Sequence, residues 1–83
     1  MPKQKQTKSA FILQERQVFA SNFRRARKEA SLTQNDITRI TGLTQPYLSD
    51  VENAKSTINL DNANVLAEAV GQPLWQLLIP VKK

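Results

Sequence analysis

Neither cysteine nor histidine occurs anywhere in the 83 residues. Their absence removes disulfides, thiol nucleophiles, imidazole general bases and zinc-finger spacings together. Glycine occurs twice, too few for a glycine-rich loop that cradles phosphate. No apolar run approaches the roughly 18 residues that span a bilayer. The N-terminal stretch "MPKQKQTKSAFIL" has lysines, but Phe11, Ile12 and Leu13 make too short a core for a secretion signal. The serines have no histidine partner and the acidic residues are scattered, so no catalytic constellation can be written. The expectation is a cytoplasmic protein that is not an enzyme, needs no metal or cofactor and has no membrane association.

What is present is one domain's worth of chain, with a modest core. The formal net charge is +5, and Lys3, Lys5, Lys8, Lys82 and Lys83 in the tails account for all of it. Between Ser9 and Val81 seven basic residues are matched by seven acidic ones. Tail lysines serve solubility as readily as DNA contact. The local concentration is "RRARK", Arg24 to Lys28, with four positive charges within two helical turns. Charge of this kind permits nucleic-acid binding without establishing it.

Residues 1–8 are polar and aperiodic and read as a flexible basic arm. Residues 9–80 read as a single helical domain, and 81–83 as a tail. Ser9 is placed to cap a first helix from Ala10 to about Ala30, with Ile12, Phe19, Phe23, Ala26 and Ala30 on one face. The polar run Gln14–Gln17 leaves open a break into two shorter helices. Thr33 and Asp36 form a capping-box pair that starts a second helix, and Gly42 ends it. Thr44 caps a third helix, with Pro46 in its first turn, where a missing N–H costs nothing. Only Gly42, Leu43 and Thr44 separate these two helices, which is the spacing of a helix-turn-helix. "AKSTI" reads as a loop. Asn59 caps a fourth helix that turns Leu60, Ala63, Leu66, Ala67 and Val70 inward and stops at Gly71. Pro73 opens a short fifth helix carrying Leu74, Leu77 and Leu78 inward, ended by Pro80.

At 100° per residue, Leu48 and Val51 fall on one side of the third helix and are its core face. The other side shows Pro46, Ser49, Asp50 and Asn53, with Gln45 at the N-terminal edge. A narrow apolar stripe opposite small polar residues suits a helix lying against base edges in a major groove.

The segment "LTQNDITRITGLTQPYLSDVEN", Leu32 to Asn53, resembles the Xre/Cro/C1 family of phage and bacterial repressors. The pattern includes Arg27, Leu32, Gln34, Ile37, Gly42, Tyr47, Leu48, Ser49, Glu52, Leu60, Leu66, Ala67 and Gly71, and spans about Phe19 to Leu78. The resemblance implies an all-α, five-helix, lambda-repressor-like bundle, its N-terminal helix extended or preceded by an extra turn. It implies that the third helix enters the major groove of an operator. Gln45 is then the leading base reader, since its amide donates and accepts together and so matches adenine. Beside it Pro46 offers apolar contact, Ser49 close approach, and Asp50 either acceptance from cytosine or exclusion of wrong sequences. The resemblance also implies backbone contacts at Gln34 and Asn53, with further ones at Lys55 and Thr57. The helix starts at Thr33 and Thr44 present free N–H groups to phosphate. Tyr47 is divided between packing and a phosphate contact. Arg27 and Glu52 match a structural ion pair between the first and third helices.

Two departures from the family pattern carry physical expectations. Ser31 stands where glycine is usual, which strains the turn. Thr38 stands where alanine is usual, and its hydroxyl must find a partner. A single recognition helix covers few base pairs, so a homodimer on a two-fold-symmetric operator is expected. Trp75 and Ile79, spaced i,i+4 on the fifth helix, are the candidate dimer contact, although Trp75 also suits the core. Two rival readings remain: an antitoxin that also binds a toxin, through an apolar patch at Phe11 and Ile12, and a protein-interaction module without DNA binding.

Overall fold

The structure, a computed structural model, describes residues 8–80, with side-chain burial from residue 14 onward. Five helices follow one another: α1 Lys8–Glu29, α2 Gln34–Thr41, α3 Gln45–Glu52, α4 Leu60–Ala69 and α5 Leu74–Leu77. No strand occurs among the described residues. Helix α1 is continuous through Gln14–Gln17, so the alternative of two shorter helices is excluded. It already includes Lys8, which puts Ser9 inside the helix rather than at its cap. The patch at Phe11 and Ile12 lies outside the residues whose side chains are described.

The core is assembled from one face of each helix. Phe19, Phe23 and Ala26 come from α1, Ile37 from α2, Leu48 and Val51 from α3, Ala63, Leu66 and Ala67 from α4, and Leu77 from α5. The Phe19 and Phe23 rings stack with centroids 6.0 Å apart. Each fully buried aliphatic or aromatic side chain contributes about 1.5–3 kcal/mol through removal of apolar area from water. Three positions expected inside are outside. Leu60 is 71% exposed and Leu78 42%, and Ala30 is also exposed. Leu60 is the first residue of α4 and Leu78 follows the last turn of α5. At helix ends the periodic face extends beyond the layer it packs on.

The caps predicted at Thr33 and Asn59 form as hydrogen bonds. Thr33 Oγ1 accepts from the Asp36 N–H at 3.0 Å and the Asp36 carboxylate accepts from the Thr33 N–H at 2.8 Å. The Thr33 backbone bond, followed by its hydroxyl, holds the Asp36 carboxyl below the usual carboxylate range. Asn59 Oδ1 accepts from the Asn62 N–H at 2.7 Å.

Helices α1, α3 and α4 end in the same two-bond pattern. Ser31 and Leu32 donate to Lys28 and Arg27 carbonyls, Ala54 and Lys55 to Val51 and Asp50, and Gly71 and Gln72 to Glu68 and Ala67. This ending needs a left-handed residue, normally glycine. Gly71 takes it at φ 76°, but Ser31 (61°) and Ala54 (59°) take it as well. The expected strain at Ser31 is therefore present, and Ala54 adds a second case that composition did not flag.

Candidate nucleic-acid interface

Helices α2 and α3 meet at a corner set by three residues. Gly42 adopts φ 81° and returns its N–H to the Thr38 carbonyl. Leu43 is half-buried against the core and donates to Thr41 Oγ1 at 3.1 Å. Thr44 Oγ1 accepts from the Tyr47 N–H at 3.3 Å and starts α3. With Leu48 and Val51 fully turned into the core, the direction of α3's outer face is determined. Gln45, Pro46 and Asp50 are exposed on it and Ser49 is half-buried.

Four side chains connect that face to α1. Arg27 Nε and Nη2 donate to the two Glu52 carboxylate oxygens at 2.6 and 3.0 Å, a bidentate pair with side chains only 11% and 5% exposed. Arg27 also donates to the Leu32 carbonyl at 2.8 Å, so the same guanidinium holds the α1–α2 turn. Gln34 Nε2 donates to Glu52 Oε1 at 3.2 Å, and Gln45 Nε2 donates to Gln34 Oε1 at 2.9 Å. The exposed glutamine of α3 is thus joined through α2 to a buried ion pair.

The donors available at the two helix starts differ. At α2 the capping box occupies the N–H groups of Thr33 and Asp36, leaving those of Gln34 and Asn35 without intramolecular partners among the described residues. At α3, Pro46 has no N–H and Tyr47 bonds Thr44, so the N–H groups of Thr44 and Gln45 are left without partners among the described residues.

Beyond α3, Asn53 caps the helix and its Nδ2 donates to the Ser49 carbonyl at 2.8 Å, while its Oδ1 accepts no bond among the described residues. Lys55 is exposed just past the left-handed Ala54. Thr57 Oγ1 accepts from Arg16 Nη2 at 2.7 Å, which adds a cation from α1 to this loop. The half-buried Tyr47 hydroxyl accepts from Asn62 Nδ2 at 3.3 Å, so its ring packs while its proton can be donated elsewhere.

Sequence reasoning passed over three of these participants. Arg16 and Asn62 carry no local pattern that marks them. Asn22 does. It lies three residues after Phe19, in the apolar register, and is 2% exposed. Its Nδ2 donates to the Leu77 and Ile79 carbonyls at 2.8 and 2.9 Å, and its Oδ1 accepts from Arg25. It latches the chain around α5 to α1. Trp75 lies in α5, but the helix ends at Leu77, so Ile79 follows it in non-helical chain and does not hold the expected i,i+4 position on the fifth helix. The two are 65% and 51% exposed, so Trp75 does not complete the core of the single chain.

Residues 23–74 match the profile of the helix-turn-helix family. The chain belongs to that family, in its Xre/Cro/C1 branch. An uncharacterized HTH-type transcriptional regulator of Sinorhizobium fredii is 34% identical over 65 residues, covering 78% of this chain and 84% of that protein. A hypothetical transcription factor of Neisseria meningitidis is 37% identical over 65 residues, and the match spans 61% of its length. The crystal structure of a hypothetical transcription factor from Neisseria superposes with a TM-score of 0.76 at 32% identity, covering 96% of this chain and 87% of that one. Within this helix-turn-helix frame, α2 is the supporting helix and α3 the outward one. The lambda-repressor-like bundle expected from sequence is the fold observed.

Proposed function

We propose that this protein is a DNA-binding transcriptional regulator that inserts α3 into the major groove of a two-fold-symmetric operator as a homodimer, and acts as a repressor by occupying that site. The relatives described above as transcriptional regulators support the general class. The observation that carries the specific reading is the division of α3. Leu48 and Val51 are buried while Gln45, Pro46 and Asp50 are exposed, with Gln45 tethered to Gln34.

In this reading Gln45 pairs with adenine, Pro46 meets a thymine methyl, Ser49 approaches the base edge or sugar, and Asp50 accepts from cytosine or repels other sequences. The α2 start, beside the Thr33 cap, offers one phosphate the free N–H groups of Gln34 and Asn35, and Thr44 borders a second at the Gln45 N–H. The Tyr47 hydroxyl, Asn53, Lys55 and Thr57 line the backbone on the far side, with Arg16 adding charge. Dimerisation through the exposed Trp75 and Ile79 places two α3 helices about one DNA turn apart. The protein acts in the cytoplasm, and no helix among the described residues is long and apolar enough to cross a membrane.

Selection of bound duplexes from a random pool tests the reading, with a two-fold-symmetric consensus as the expected result. Gln45→Ala should relax preference at one position in each half-site, losing about 1–3 kcal/mol of discrimination there. Equal weakening on every sequence would show that Gln45 does not read a base.

A further inference from the structure

Arg27, Glu52, Gln34 and Gln45 form a hydrogen-bond chain whose direction is dictated from one end. A guanidinium only donates and an ionised carboxylate only accepts. Glu52 accepts both Arg27 bonds, at 2.6 and 3.0 Å, and its remaining contact is the Gln34 amide at 3.2 Å. That contact requires a Gln34 N–H, because an oxygen there would face an oxygen. Gln34 Oε1 therefore points toward Gln45, 2.9 Å away, and can only accept. The Gln45 amide nitrogen must point back at Gln34, and its Oε1 and second N–H remain outward.

A glutamine amide has two orientations nearly equal in shape and opposite in hydrogen-bonding sense. We propose that Glu52, acting through Gln34, is a specificity-determining positioning residue that selects which orientation Gln45 presents to a base. This rests on the major-groove reading above. In the major groove adenine shows a donor, N6, beside an acceptor, N7, whereas guanine shows two acceptors, N7 and O6. The held orientation offers one acceptor and one donor, which fits adenine. The reversed orientation turns both amide hydrogens outward, which fits guanine. Glu52 itself is 5% exposed at its side chain and acts on the base only through the chain of amides. The second Gln34 N–H stays free for a phosphate, so one side chain both anchors the backbone and transmits the orientation.

The test measures binding of the selected operator and of its adenine-to-guanine substitution at the position Gln45 reads. Wild-type protein should prefer adenine by about 10-fold or more. Gln34→Met severs the chain while leaving Arg27–Glu52 intact. Glu52→Gln replaces the acceptor-only group with an amide that can face either way. Both variants should bring the adenine-to-guanine ratio within about 3-fold. Loss of a Gln34–phosphate contact lowers affinity for both duplexes together and does not move that ratio. If Glu52→Gln fails to fold, Gln34→Met alone decides. A ratio unchanged in Gln34→Met, or in a folded Glu52→Gln, overturns the proposal and leaves the major-groove reading standing. A wild-type protein indifferent to the base overturns that reading, and the proposal with it.

Discussion

Thr38 and Asn22 are both polar side chains taken out of water, and they differ in what they meet there. Asn22 satisfies its amide on two carbonyls and the Arg25 guanidinium. Thr38 Oγ1 is buried with no hydrogen-bond partner among the described residues. The sequence flagged Thr38 as a hydroxyl where alanine is usual, but whether a partner stood nearby depended on α2's neighbours. Burying an unsatisfied hydroxyl is unfavourable, while an isosteric apolar group in its place is neutral or better. Thr38→Val should therefore raise stability by about 1 kcal/mol, read as a rise in Tm of roughly 4–8 °C for a domain of this size. A fall in Tm would mean that the hydroxyl is satisfied in solution.

Whole elements depend on how they end and how they are joined. Helices α1 and α3 both stop on a left-handed residue that is not glycine, Ser31 at φ 61° and Ala54 at φ 59°. The left-handed conformation costs an L-residue roughly 1–2 kcal/mol, partly offset by glycine's greater freedom in the unfolded chain. Ser31→Gly and Ala54→Gly should each stabilise by about 0.5–1 kcal/mol, close to additively. Urea unfolding with an unchanged m-value would register this as a higher midpoint. The join between α1 and α3 is the Arg27–Glu52 pair. Removing one member leaves a charge that is almost wholly enclosed, so Arg27→Met should destabilise by about 3–5 kcal/mol. That is a large fraction of a small domain's total. A loss under 1 kcal/mol in denaturant titration would mean that water reaches Glu52 once Arg27 is gone.

For the molecule as a whole, the proposed dimer contact at Trp75 and Ile79 makes predictions that separate assembly from folding. At 65% and 51% exposed they add little to the single chain, and surface changes of that kind usually alter stability by no more than about 0.5 kcal/mol. The double substitution Trp75→Ser with Ile79→Ser should leave the monomer's unfolding unchanged and shift sedimentation to the monomer. Operator affinity should then fall to that of a single half-site. A large drop in unfolding stability would place these side chains in the fold itself. A dimer that persists unchanged would place its interface elsewhere.

Local chemistry was legible in the order of residues. Thr33 with Asp36, Thr44 and Asn59 each supply a side-chain oxygen within reach of the backbone N–H three positions on, and Gly42 supplies the turn, so these helix starts and the α2–α3 corner followed from nearest neighbours. The inward placement of Leu48 and Val51 followed from helical period alone. Leu60, Leu78 and Ala30 fitted the same period yet stayed in solvent, because period gives a direction and not the extent of the neighbouring layer. The hold of Arg16 on Thr57, the latch from Asn22 to the α5 end, and the path from Glu52 through Gln34 to Gln45 join residues 41, 55 or 57, and 18 then 11 positions apart. Such bonds exist only once packing has brought donor and acceptor atoms from distant parts of the chain within about 3 Å of each other, and so the tertiary structure alone decided them.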